Sequence, residues 1–140
     1  MNRLTPQCEV RRIKRVQDVR GDLCVVQQLE DVPFDIQRVF YVLGVPGGTT
    51  RGGHAHIRVW EGVIALTGAF TFVADDGVEK RRFRLERPDD MLILPPLHWL
   101  EMVDFEPGTS VLVLASGPHE DSDYLRTYDG FKAFLESQRS

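Results

Sequence analysis

Short apolar runs separated by turn residues recur along most of the chain. Residues 23–29, 39–45, 59–67, 69–74, 81–85, 91–94 and 110–115 form the runs. The breaks fall at 31–33, 46–48, 75–77, 87–90, 95–96 and 106–109, and most contain Pro, Gly or Asp. Runs this short are strand-sized, and their spacing predicts an all-β sandwich or barrel rather than alternating strand–helix units. Asp76–Gly77, between two runs, is a hairpin turn signal.

The last segment follows a different period. Across 121–138 the residues Tyr124, Leu125, Tyr128, Phe131, Phe134 and Leu135 recur at close to helical spacing. A helix is predicted there, capped by Asp121 or Ser122, with Asp123 in its first turn and Gly130 as its weak point. Its aromatic stripe, including Tyr124, Tyr128 and Phe131, is expected to pack on the barrel.

A chain of 140 residues can bury a core as one domain over 1–140. Its 42% hydrophobic and 27% charged residues argue against wholesale disorder. The net charge of -4 comes without any block of Lys and Arg, so no nucleic-acid partner is expected. A few placed arginines can still make a local positive pocket for an anion. No apolar run approaches the ~20 residues of a membrane helix. Residues 1–10 lack the apolar core of a signal peptide. Cys8 and Cys24 have no metal-binding spacing and are read as reduced thiols. The expectation is a soluble, cytoplasmic protein with no membrane partner.

The candidate chemistry lies in residues 48–68. There Gly48 is followed at fixed intervals by His54, His56, Glu61 and Gly68. Residues two apart on a strand share a face, so His54 and His56 point together. Turned inward, they share a pocket and can act as bases, acids or metal ligands. Glu61, five residues beyond His56, faces the other way on a regular strand; a bend or bulge between them brings it inward.

This spacing resembles the first motif of the cupin superfamily, which implies a double-stranded β-helix, or jelly-roll barrel, here with a C-terminal helix. The resemblance extends to the dTDP-sugar 3,4-ketoisomerases (WxcM-like cupins). Arg51–Gly52–Gly53–His54–Ala55–His56 is similar to their Arg-Gly-Phe-His-Ala-His segment. Asp18–Val19–Arg20–Gly21–Asp22–Leu23 resembles their N-terminal Asp-x-Arg-Gly-x-Leu turn. The stretch from Pro33 to Tyr41 resembles a Pro-Phe-x-Ile-x-Arg-Val-Tyr-Tyr strand, and that from Asp123 to Phe131 an Asp-Tyr-Ile-Arg-x-Tyr-Asp-x-Phe block.

The resemblance implies a homodimer that moves the keto group of a dTDP-4-keto-6-deoxyhexose from carbon 4 to carbon 3, with no cofactor. His54 and His56 are the expected proton-handling pair. Arg51 or Tyr41 is the expected partner of the developing oxyanion. Arg20, Arg38 and Arg51 are candidates for the diphosphate, since guanidinium binds phosphate bidentately. Trp99 and Glu101, in a segment similar to Trp-His-Glu-Met, are candidates for the sugar pocket, as is Glu61. The N-terminal segment, 10–26, is expected to pair with a second subunit by strand exchange.

Three positions depart from the family pattern. Gly53 stands for Phe, Glu61 for Gln, and Leu100 for the His of Trp-His. Glu61 is the residue that metal-binding cupins use beside the two histidines, so a metal set of His54, His56, Glu61 and His98 is the alternative. A metal-dependent cupin such as a small dioxygenase, a nucleotide-sugar epimerase and a non-catalytic sensor therefore stay open beside the isomerase.

Overall fold

The twelve strands form two antiparallel layers and a two-stranded hairpin, and the apolar runs find a physical reason in that arrangement. In the computed structural model, which describes residues 3–139, the strands are β1 (Glu9–Arg12), β2 (Lys14–Asp18), β3 (Gly21–Val25), β4 (Arg38–Leu43), β5 (Arg51–His56), β6 (Glu61–Thr67), β7 (Phe70–Asp75), β8 (Lys80–Leu85), β9 (Asp90–Leu94), β10 (Trp99–Val103), β11 (Ser110–Ala115) and β12 (Tyr124–Leu125). One helix, α1 (Tyr128–Arg139), ends the chain's described part. Met1, Asn2 and Ser140 of the expected 1–140 domain lie outside the described residues.

One sheet has the order β1-β9-β6-β11-β4 and the other β12-β5-β10-β7-β8, while β2 and β3 pair only with each other. The facing sides bury Val63, Leu92, Leu94, Val111 and Val113 from the first sheet against Phe70, Phe72, Leu85, Leu100 and Met102 from the second. Outside the first sheet, Val32 and Phe34 of the β3–β4 connection cover Ile64, Met91, Ile93 and Leu114. Outside the second, Phe131 and Leu135 of α1 cover Ala55, Leu97 and Trp99. Strands buried on both faces need apolar residues at every position, which is why β6, β7 and β9 read as continuous runs rather than as alternation. This is the cupin jelly-roll barrel with its C-terminal helix.

The hairpin at Asp76–Gly77 joins β7 to β8. The Asp76 carboxylate accepts from the backbone N–H groups of Val78 and Glu79, so the side chain itself builds the turn. β4 is the last strand of its sheet, and its alternation puts Phe40 and Val42 inside and leaves Val39, Tyr41 and Leu43 exposed.

The helix starts later than its periodicity predicts. Asp121–Asp123 is a single 3₁₀ turn, and Tyr124 and Leu125 pair with His56 and Ala55 as β12. Thr127, rather than Asp121 or Ser122, caps α1: its hydroxyl accepts from the Gly130 N–H, and its carbonyl from the Phe131 N–H. The open edge of β5 takes these residues because an unpaired strand edge is a stronger local demand than two more helical residues. Within the described residues, no helix is long and apolar enough to cross a membrane.

Candidate active site

The site is made by a bulge. On β5 the pairing runs Leu100 with His54, then Glu101 with Gly52, so Gly53 is the extra residue. Gly52 and Gly53 both have positive φ, +90° and +74°, conformations that residues with a Cβ adopt only with strain. A Cβ on Gly52 would lie 2.8 Å from Leu100 Cδ1 and 2.9 Å from its carbonyl oxygen. The bulge resets the alternation. Three residues from His54, Arg51 belongs on the opposite face of a regular strand. Here it pairs with Met102, and both line the same pocket as His54.

That pocket, about 210 Å³, lies between the sheets. Its polar groups are Arg51, His54, His56, Glu61 and Tyr124, and the rest of its lining is apolar, including Phe40, Val42, Val63, Phe72, Leu100, Met102 and Val113. The imidazoles of His54 and His56 meet edge to face with centroids 5.1 Å apart. The Tyr124 ring packs against both, at 5.0 and 4.7 Å. Its hydroxyl lies 3.1 Å from His119 Nδ1, and the Arg126 guanidinium stacks on its outer face.

His56 is buried between two carboxylates. Nδ1 is 2.8 Å from Asp123 Oδ2. An ionised carboxylate only accepts, so Nδ1 carries a proton and donates. The other Asp123 oxygen accepts from the Arg58 backbone N–H, which fixes the carboxylate. Nε2 has no hydrogen-bond partner among the described residues and faces Glu61 Oε2 at 3.5 Å. Glu61 comes inward because β5 ends at His56 and a turn, not a continuing strand, leads to β6.

The two histidines titrate in opposite directions. Burial, then the neighbouring charge of His56, pushes His54 down to about 4. Burial also works against charging His56, but the nearby Glu61 carboxylate, 3.5 Å from Nε2, and the hydrogen-bonded Asp123 carboxylate outweigh it and raise its pKa. Near neutral pH His54 is therefore neutral, while the two carboxylates favour the protonated form of His56, a separation of the kind that acid–base catalysis uses.

The expected site residues are partly assembled. His54, His56, Arg51 and Glu61 line the pocket. Arg38 is not among the lining residues; its guanidinium lies over the ring of Phe40, which is, and its Nε is buried without a partner among the described residues. Four others are placed elsewhere. Tyr41 is exposed on the outer face of β4. Trp99 packs on Tyr128 and Phe131. Glu101 alternates with Leu100 and Met102 and so turns out of the pocket they line. Arg20 is at the exposed tip of the β2–β3 hairpin, paired with Asp18.

The alternative metal set does not fit. His98 points its Nδ1 at the carbonyls of Pro95 and Pro96 and is absent from the pocket lining. Among the described residues no three His, Cys, Asp or Glu side chains are grouped to hold a metal ion.

Asp123 and Tyr124 are the site residues that periodicity assigns wrongly, to a helix. The signal for them was the Asp-Tyr block itself, whose acid is too deep to be a surface cap.

A jelly-roll barrel whose pocket holds a carboxylate–imidazole cluster defines the class, a cupin. The family pattern FdtA, WxcM-like, C-terminal matches residues 6–136, and the chain belongs to that family. It is 34% identical over 127 residues to the TDP-4-oxo-6-deoxy-alpha-D-glucose-3,4-oxoisomerase of Aneurinibacillus thermoaerophilus, covering 91% of each chain. The TDP-quinovose 3,4-ketoisomerase WlaRB of Campylobacter jejuni superimposes with TM-score 0.88 at 32% identity, covering 92% of this chain and 99% of that one. A variant of the 3,4-ketoisomerase QdtA of Thermoanaerobacterium thermosaccharolyticum, solved with TDP-4-keto-6-deoxyglucose, superimposes with TM-score 0.90 at 32% identity, covering 94% and 95%.

Proposed function

We propose that this chain is a sugar 3,4-ketoisomerase acting on a TDP-linked 4-keto-6-deoxyhexose, with His54 and His56 as its proton-transfer pair. The observation that carries the reading is the contact of the two imidazoles in one pocket, 5.1 Å between centroids, with only His56 held by a carboxylate at 2.8 Å. His54 takes the proton from carbon 3. His56, held by Asp123 and facing Glu61, supplies one to carbon 4. Arg51 and the Tyr124 hydroxyl are the groups that can meet the oxyanion of the enediolate between these steps. No redox cofactor is called for, because carbon 3 is oxidised and carbon 4 reduced within one molecule by proton transfers alone.

At about 210 Å³ the pocket is smaller than the ~300–1,000 Å³ typical of whole small-molecule sites. It suits the sugar ring alone, with the nucleotide outside. Arg51 and the unpartnered Arg38 are the nearest candidates for the diphosphate. The continuous core between the sheets supports reading 1–140 as one cupin domain. The nucleotide-sugar substrate supports a cytoplasmic location.

The chain is further proposed to work as a homodimer. Among the described residues the β2–β3 hairpin pairs with no other strand, and it exposes Val16, Val19 and Leu23, while β4 exposes Val39, Tyr41 and Leu43. A second copy laid on these apolar positions covers both and offers Arg20 a place beside the neighbouring pocket. Light scattering at working concentration checks this; a monomer refutes it. Incubation with TDP-4-keto-6-deoxyglucose, followed by NMR, tests the activity. A 3-keto product is expected, and unchanged or merely epimerised 4-keto sugar refutes the reading.

A further inference from the structure

His56 meets a carboxylate at each ring nitrogen, and the two contacts differ. Nδ1 donates to Asp123 Oδ2 at 2.8 Å. The other oxygen of Asp123 accepts from the Arg58 backbone N–H at 2.7 Å, with the Arg58 Nε 4.0 Å away. Nε2 is buried without a hydrogen-bond partner among the described residues and faces Glu61 Oε2 at 3.5 Å. Glu61 is 5% exposed, and this is its one ion pair among the described residues. Glu61 is also one of the three departures from the family pattern, so the contact is not part of that pattern.

Two bare acceptors are a poor match in so buried a place. With Nδ1 protonated, a neutral ring points the lone pair of Nε2 at an ionised carboxylate with no donor between them. Burial leaves little water to satisfy either atom. One added proton removes the conflict. Placed on Nε2, it makes an imidazolium between two carboxylates. Placed on Oε2, it makes a carboxylic acid beside a neutral ring. The proton count is the same, so the proton belongs to the pair. The raised pKa of His56 agrees with this. An amide at position 61 needs no such proton, because its own N–H donates to a neutral ring.

The neighbouring elements leave that proton where it is. From β5, the His54 ring meets His56 edge to face, and burial favours its neutral form. Arg51 lines the same pocket from the same strand. From β12, the Tyr124 ring packs on both imidazoles and its hydroxyl lies beside His119, while Arg126 stacks on that ring. From β9 and β11, Leu94 and Ala115 pair with Glu61 and bring no charge. From β4, Arg38 also pairs with Ala115, which puts it on the same face of the sheet as Glu61. None of these arginines forms an ion pair with Glu61 among the described residues, so His56 is the group left to answer its charge.

Resting on the ketoisomerase reading, we propose that Glu61 is a positioning residue for the acid of the reaction: it shares one proton with His56 Nε2 and keeps it on the pair at pH values where a lone imidazole has lost it. His56 is thereby held as an acid and withheld from acting as a second base. In turnover His54 takes the carbon 3 proton, and the C–H electrons become the double bond of the enediolate. The carbon 3 hydroxyl proton passes to the oxygen on carbon 4. The shared proton then leaves the pair, and its bonding electrons stay behind on nitrogen or oxygen. As the carbon 3 oxygen forms the new ketone, the double-bond electrons form the C–H bond at carbon 4. The proton now on His54 returns to the pair, directly or through water, and the starting count is restored. Carbon 3 is oxidised and carbon 4 reduced within the one molecule.

The test is Glu61→Gln in the full chain, an exchange of nearly equal size that removes the shared proton. The first readout needs no substrate. NMR signals of the imidazole nitrogens and of the Glu61 carboxyl carbon are followed against pH in the free protein, with His56 identified by the loss of its signals in His56→Asn. In the unaltered protein one member of the pair is expected to stay protonated above neutral pH. In the variant the His56 midpoint should lie lower by roughly one to three pH units, the range for losing an opposite charge at this distance. The second readout is kcat on TDP-4-keto-6-deoxyglucose. The variant's loss should deepen with pH, about tenfold for each unit past its own alkaline limb. An unmoved His56 midpoint, or a loss of kcat equal at every pH, overturns the proposal. So does a neutral His56 beside an ionised Glu61 at neutral pH in the unaltered protein, a result that counts even if the variant fails to fold. A shifted midpoint with no 3-keto sugar from either protein supports the shared proton and overturns the isomerase reading.

Discussion

The Nδ1 of His56 and the Oδ2 of Asp123, 67 residues apart in the chain, meet at 2.8 Å in the interior. Asp123 is 2% exposed and His56 3%, so the contact is shielded from water and salt. The carboxylate sets the imidazole tautomer and favours its charged form, while Nε2 is left facing Glu61 and the pocket.

Asp123→Asn keeps the shape of this contact and removes its charge. Turnover is expected to fall by roughly a hundredfold, within the range of a general acid–base contribution, with little change in KM. A merely structural role would not move the pH profile. The alkaline limb of kcat in the variant should shift to lower pH, because the charged imidazole loses one of its supports. An unmoved limb with only a lower melting temperature would assign Asp123 to stability alone.

His54→Asn and His56→Asn are each expected to lower kcat by roughly 10²–10⁴-fold while TDP affinity, measured by calorimetry, stays near that of the unaltered protein. On the proposal that the nucleotide lies outside the pocket these rings line, binding and chemistry should separate. Near-normal turnover in both variants would remove the proton-transfer role.

The pH dependence has two signs. His54 must be neutral to act as base, and its pKa of about 4 keeps it so well below the ordinary histidine value of 6.5. Activity should therefore persist at pH 5, and an acid limb of kcat near 6.5 would contradict the assignment. For stability, the lowered His54 pKa means the unfolded chain takes up the proton first. Its contribution is present above 6.5 and lost as pH falls toward about 4. His56 has a raised pKa, so its contribution is full below 6.5 and lost as pH rises through the elevated folded value. Urea midpoints across this range check both slopes.

Gly52→Ala should damage the site through the backbone. Positive φ and a Cβ 2.9 Å from the Leu100 carbonyl leave no relaxed place for the methyl. The expected cost is about 1–3 kcal/mol, seen as a lowered melting temperature. Losing the bulge register also turns Arg51 away, so KM should rise. An unchanged melt and KM would show that the bulge is not required.

The strands and their turns were legible because both depend on local chemistry. Asp76–Gly77 builds its turn with its own side chain, and the runs at β6, β7 and β9 carry the apolar residues that two-sided burial demands. β1, β2 and β10 were not legible. Glu9–Arg12 is polar because it lies at a sheet edge, and Trp99–Val103 mixes Glu with apolar residues because its two faces meet different neighbours. The C-terminal pattern misled for a related reason. Tyr124 and Leu125 fit a helical stripe, yet the free edge of β5 claimed them.

The amino-acid sequence by itself determined the barrel class, the terminal helix and the shared face of His54 and His56, since alternation, periodicity and turn chemistry are properties of neighbouring residues. Only the tertiary structure decided that Asp123 meets His56, that a bulge brings Arg51 inward, and that Tyr41, Trp99 and Glu101 turn away from the pocket. Those outcomes depend on register between distant strands, and a shift of one residue there reverses which side of the sheet a side chain occupies.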